Sequence, residues 1–149
     1  MEIIKNPNPI LHKKLENVRP EDQIDQLIKD MKKTMIEFRG VGLAANQVNK
    51  DLALFVIDES LAKENNAPDV YLNPEIEPYS KQEDIMEEGC LSIPGTWLKI
   101  KRTKKVKVKA LNEKGDKIKF IAKGMLARVL QHEFDHLQGT LIIEKQKQS

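Results

Sequence analysis

The chain has 149 residues, with 25 Lys or Arg against 23 Asp or Glu, a net charge of +2, three histidines and one cysteine. A chain of that length suits one domain and buries roughly 68–70% of its unfolded surface, so one core forms without covalent staples. The lone Cys90 excludes an intrachain disulfide framework. The longest apolar run, Leu52 to Ile57, is far shorter than the roughly 20 residues that cross a bilayer, and the opening MEIIKNPNPI is no secretory signal.

Spacing predicts a first helix over residues 20 to 38, because Ile24, Leu27, Ile28, Met31, Met35 and Phe38 recur at intervals that place them on one face. Pro20, Glu21 and Asp22 suit its first turn and Gly40 its end. GVGLAANQ, residues 40 to 47, is too rich in Gly and Ala for a surface helix and too apolar for a solvated loop. Leu52 to Ile57 reads as a buried strand, and Val70 to Leu72 as a short one that stops at Asn73-Pro74.

Residues 75 to 88 are acidic, whereas seven of the eleven residues from 99 to 109 are Lys or Arg and none is acidic. Val106, Val108 and Ala110 alternate with Lys105, Lys107 and Lys109, the period of a strand with one wet face. A turn at Asn112 to Gly115 leads to a returning strand that begins with Ile118 and Phe120. The lysines read as a solvated hairpin face that blocks edge pairing, and no aromatic residues interleave with them to stack on bases, so no direct nucleic-acid contact is expected.

A second helix is expected over residues 124 to 138, closed by Gly139. It carries His132, Glu133 and His136 in an H-E-x-x-H pattern. Residues four apart differ by about 40° round a helix, so both imidazoles face one metal and Glu133 reaches water beside it. Met125 and Val129 fall within about 60° of His132, which puts an apolar strip beside the metal, while Leu126, Leu130 and Leu137 face the core on the other side. Of the candidates for a third ligand, His12 lies in a polar HKK stretch and reads as solvated. Cys90, in EGCLS, is the better donor because thiolate and imidazole both suit a metal of intermediate softness. That donor set alone suggests zinc.

Three motifs together, GVGLAANQ at 40 to 47, EGCLS at 88 to 92 and QHEFDHLQG at 131 to 139, resemble those of the peptide deformylases in order and spacing. The resemblance extends more loosely from Ile3 to Ile143 and implies a single catalytic domain over residues 1 to 149. It implies an α+β fold in which a central metal-binding helix packs against antiparallel or mixed sheets, with one N-terminal helix. By the same likeness Cys90, His132 and His136 are the ligands of one divalent metal, iron(II) in the family, which zinc, nickel or cobalt can replace. Glu133 is then the general acid and base, with Gln47 donating to the oxyanion through its amide and Leu91 through its backbone N–H.

The reaction implied is hydrolysis of the N-formyl group from formyl-methionyl peptides, with release of formate, in a bacterial cytoplasm. Val41, Met86, Met125 and Val129 match positions that line the methionine pocket, and backbone groups around Val41, Gly42 and Gly89 would hold the peptide as an added strand. Two departures stand out. Many members carry Arg three residues after the proline of the EGCLS segment, where this chain has Trp97. The ten residues after Gly139 leave no room for a long C-terminal helix, as in short phage-encoded members, so ribosome docking by such a helix is not expected. An endopeptidase of the H-E-x-x-H type and a metal-stabilised binding module without turnover are the alternatives.

Overall fold

Alternating apolar and polar residues dominate the middle of the chain, and in the computed structural model, which describes residues 1–148, they form antiparallel strands. These are β1 (Gly42–Ala44), β2 (Leu54–Ile57), β3 (Val70–Pro78), β4 (Glu83–Cys90), β5 (Ile93–Thr103), β6 (Lys105–Leu111) and β7 (Lys117–Lys123). Five of them make one sheet in the order β1-β2-β3-β6-β7, and β4 and β5 pair as a separate ribbon. The helices are α1 (Asp25–Glu37), α2 (Glu59–Glu64), α3 (Gly124–Leu137) and a short α4 (Ile142–Gln148). Among the described residues no helix is long and apolar enough to cross a membrane.

The two faces of the sheet bury different partners because successive strand side chains point to opposite sides. On one face Phe55, Tyr71, Val108 and Ala122 pack against Ala127 and Leu130 of α3, with the Phe55 and Tyr71 rings stacked at 5.0 Å. On the other, Leu54, Val56 and Val70 pack against Ile28, Met31 and Met35 of α1. Full burial of such a side chain contributes about 1.5–3 kcal/mol. The α3 helix is thus held centrally, as its two-sided apolar pattern implies.

Several expected boundaries move for local reasons. The first helix starts at Asp25 rather than Pro20. The Asp22 carboxylate accepts the Arg19 N–H at 2.7 Å, and the Asp22 N–H donates to the Arg19 carbonyl, so residues 19 to 22 close a turn of their own. The left-handed residue at its end is Arg39, at φ 58°, rather than Gly40, and Phe38 is turned outward instead of into the core. Asn73-Pro74 does not stop β3. Asn73 takes φ 49° at a bulge between Leu72 and Glu75, its side chain bonding both backbone groups of Val18, and the strand continues to Pro78. GVGLAANQ divides into β1 and a 3-10 turn over Ala45–Val48. Helix α2, capped by Asp58, and the β4–β5 ribbon were not anticipated.

Gly139 closes α3 at φ 80°, and a Cβ there would lie 2.7 Å from backbone atoms of His12 and Lys13. Gly139→Ala is therefore expected to destabilise the fold by about 2 kcal/mol, a fall in Tm of roughly 4–8 °C by calorimetry.

Candidate metal centre

Two elements bring the expected donors together. Helix α3 presents His132 and His136, with ring centroids 5.0 Å apart, and Cys90 closes β4 beside a register shift between Gly89 and Cys90. The Cys90 Sγ lies 3.4 Å from His136 Nε2, and one donor atom from each of Cys90, His132 and His136 falls within 4.8 Å of the others. His12 is remote from this cluster, with its Nε2 hydrogen-bonded to Asn6.

The chemistry of the donors fits a divalent metal. Burial pushes the Cys90 thiol up, but the His136 and His132 imidazoles outweigh burial and bring it down to about 5. Burial pushes His132 down, yet contacts to Cys90 and Glu88 raise it to about 10. A thiolate beside a His132 imidazole that holds its proton is a site where a cation can displace that proton. His132 Nδ1 is engaged by Glu88 at 2.9 Å, which leaves Nε2 to face the cluster.

Behind His132 lies a buried ionic network. Glu88 accepts from Arg102 at 2.6 and 2.9 Å and from Arg128, which also reaches Asp84 at 2.8 Å. Arg102 in turn reaches Asp135 at 2.8 Å. Although burial favours the neutral acid, His132 and Arg102 hold the Glu88 carboxyl far below the usual carboxylate range. Charged hydrogen bonds on both Glu88 oxygens therefore fix the ring plane of His132.

Glu133 is 3% exposed, and its Oε1 is buried without a hydrogen-bond partner. Burial raises its pKa, despite the opposing pull of the imidazoles. Its Oε2 lies 4.0 Å from His132 Nε2 and against the backbone of Gly42, where a Cβ would sit 2.6 Å away. Gly42→Ala is expected to push the carboxylate aside by about 1 Å, a displacement that can lower turnover about 10²-fold. Steady-state kinetics, with circular dichroism to verify folding, would test it.

Gln47 comes from the 3-10 turn. Its Oε1 accepts the Ala44 N–H at 3.0 Å, so its Nε2 is turned towards Ser92 Oγ at 3.1 Å and Cys90 Sγ at 3.7 Å. Leu91, Val41, Gly89, Met86, Met125 and Val129 line the same cleft, whose volume is about 740 Å³. Val129 is buried, whereas Val41, Met86 and Met125 are exposed at the mouth. Every residue expected at the site therefore lines this cleft or the metal cluster. Sequence reasoning missed the roles of Glu88, Arg102, Arg128 and Ser92. Arg128 carried a signal, since a guanidinium one turn before His132 on a buried helix requires a carboxylate partner.

Comparison with known proteins gives one consistent answer. The polypeptide deformylase family model matches residues 1–149. The peptide deformylase of Pseudomonas aeruginosa is 42% identical over 147 residues, covering 97% of this chain and 85% of the relative. That of Thermodesulfovibrio yellowstonii is 44% identical over 146 residues, covering 97% and 88%. The crystal structure of the Thermotoga maritima peptide deformylase superposes with a TM-score of 0.88 at 39% identity, covering 97% of this chain and 95% of that one.

Proposed function

The chain belongs to the peptide deformylase family, metal-dependent hydrolases that remove the N-formyl group, and we propose that Glu133, Gln47 and Leu91 carry the reaction on formyl-methionyl peptides. The observation that supports these roles best is the buried Glu133 carboxylate, with one oxygen unpartnered and the other facing the Cys90, His132 and His136 cluster. Neither an endopeptidase nor an inert binding module is favoured by these relatives.

Cys90, His132 and His136 would hold one divalent ion. Bound there, such an ion polarises the formyl carbonyl and lowers the pKa of water towards about 7. Glu133 accepts the proton of the attacking water at its carboxylate and later delivers it to the departing amine nitrogen. A carboxyl raised by burial sits closer to the proton affinities it must match in both steps. The Gln47 amide, locked by the Ala44 N–H, and the Leu91 backbone N–H donate to the oxygen that becomes negative. The products are formate and a peptide with a free amino end. The walls of the cleft at Val129, Met125 and Met86 receive the methionine side chain, and backbone around Val41, Gly42 and Gly89 receives the peptide as an added strand.

The test is a pair of peptides, formyl-Met-Ala-Ser and acetyl-Met-Ala-Ser. Formate release from the first with no cleavage of the second is expected, and cleavage of an internal bond without formate would overturn the reading. We assign iron(II) by likeness to the family. Zinc, nickel and cobalt fit the same donors, and metal analysis after anaerobic purification decides among them. The whole chain acts as one catalytic domain in the bacterial cytoplasm, where formylated nascent chains are made.

Trp97 alters the rim of the cleft. It pairs in register with Gly89, its ring lies where a Gly89 Cβ would be, at 2.7 Å, and it is 67% exposed. That leaves an aromatic face free for substrate residues beyond methionine. Trp97→Arg is expected to lower kcat/KM for formyl-Met-Ala-Phe by about 3–10-fold, as loss of an aromatic contact would, and to act through KM. Formyl-Met-Ala-Asp should not suffer, and equal losses on both peptides would contradict the role.

A further inference from the structure

Charge is unevenly distributed in this chain. Residues 99 to 123 hold eleven Lys or Arg against two acidic residues, while the remaining residues hold fourteen against twenty-one. The modest net charge of +2 is thus the difference between a strongly basic hairpin region and an acidic remainder.

The fold concentrates part of that charge on one surface. Helix α1 packs on β1 and β2, on the sheet face opposite α3, and of the β6–β7 half of that face its cluster takes in Leu111 while the lysines beyond it stay at the surface. Onto this half project Lys105, Lys107 and Lys109 from β6 and Lys117, Lys119 and Lys123 from β7. Glu75 and Glu77 of β3 stand beside Lys109 and Lys107 in register. Even so, the ion pairs formed among the described residues engage other cations and none of these six lysines.

Two features separate this face from one that is merely solvated. Lys105 lies directly opposite Lys123, and Lys109 directly opposite Lys119, and like charges so placed destabilise a strand pair. Protection against edge pairing explains lysines on β7, which is an edge strand, but not those on β6, which is paired on both sides. The repulsion is relieved when a polyanion neutralises the face.

We propose that this face binds the phosphate backbone of double-stranded RNA without reading sequence. Lysines act on phosphates as point charges, and they recur about every 6.8 Å along each strand, with strands about 4.8 Å apart. Of the eight side chains that β6 and β7 turn to this face, two are apolar: Leu111, packed against the cluster beneath α1, and Ile121, which alone is exposed and is too little to insert into a lipid surface. The absence of aromatic side chains there excludes stacking on unpaired bases and leaves the duplex backbone as the partner. The choice of RNA over DNA rests on the reading of the substrate as a nascent peptide, which is encountered among RNA.

The test uses the metal-loaded full chain and a labelled 20-base-pair RNA duplex of arbitrary sequence, followed by fluorescence anisotropy from 50 to 200 mM salt. Binding should weaken with salt, with a log–log slope of about −0.9 per neutralised phosphate. The triple variant K105E/K119E/K123E should bind at least tenfold more weakly with a shallower slope, while releasing formate from formyl-Met-Ala-Ser at the wild-type rate. K14E/K29E/K50E, equal in net charge but altered elsewhere, should bind as wild type does. K105A/K119A/K123A provides the same comparison without reversed charge, should the first variant fold poorly. Equal losses in the two glutamate variants, tighter binding to DNA duplex or to phosphatidylserine vesicles than to RNA, or no binding at 50 mM salt would overturn the proposal. Binding is recorded without substrate, so failure of the deformylase reading would appear separately, as absence of formate.

Discussion

Replacing Glu133 with alanine is expected to lower formate release from formyl-Met-Ala-Ser by about 10²–10⁴-fold, the usual contribution of a positioned general acid and base. The bound metal should remain, because Cys90, His132 and His136 supply the clustered donor atoms. Stability should not fall in step with activity. Glu133 is buried with Oε1 unpartnered, and a buried polar group without a partner is unfavourable. Glu133→Gln, which keeps the volume, should therefore melt at or above the wild-type Tm while losing a comparable share of turnover. Turnover within threefold of wild type in both variants would remove Glu133 from the reaction.

Glu88→Ala is expected to have the largest effect on stability. The carboxylate is shared by Arg102, Arg128 and His132, and the two arginines are buried at 4% and 6% exposure. Removing the acid leaves two buried guanidiniums that keep, among the described residues, only Asp135 and Asp84 as carboxylate partners, with the Ile100 carbonyl still accepting from Arg128. Breaking a buried pair in this way typically costs about 3–5 kcal/mol, a fall in Tm of roughly 6–20 °C. His132 loses the contact that orients its ring, so metal affinity should drop about 10–100-fold. Calorimetry and competition with a chelator would measure the two effects separately. A variant that melts normally but loses metal would restrict Glu88 to orienting His132.

The parts of the molecule legible from sequence are those where one local pattern has one structural solution. His132, Glu133 and His136 lie on a helix whose apolar residues fall on both sides, and that pattern required both a metal-facing strip and a buried setting. Alternation at Val106, Val108 and Ala110 likewise implied the hairpin, although it could not say what covers its outer face. The ionic network was hidden for a different reason. Glu88, Arg102 and Arg128 are 14 to 40 residues apart; Glu88 and Arg102 lie in segments where a charge reads as solvent-facing, and the buried helix that carries Arg128 calls for a carboxylate without saying which. Arg102 in particular belongs to a run of lysines, and only the β4–β5 pairing turns it inward beside Glu88. The start of α1 was misplaced because Asp22 can either cap a helix or close its own turn, and the bond to Arg19 N–H selects the turn. Asn73-Pro74 resembled a stop because Pro cannot donate to a ladder, but the bulge places it where no donor is needed.

The most direct measurement of the central claim is a titration of metal-stripped protein with ferrous iron under anaerobic conditions, with formate and Met-Ala-Ser both quantified from formyl-Met-Ala-Ser. Activity should be absent without metal, rise linearly and saturate at one ion per chain, with equal amounts of the two products. Cys90→Ala should shift saturation to far higher metal or abolish it. Full turnover in the stripped protein, or saturation that is unchanged by Cys90→Ala, would contradict the assignment of Cys90, His132 and His136 as the metal centre of this hydrolase.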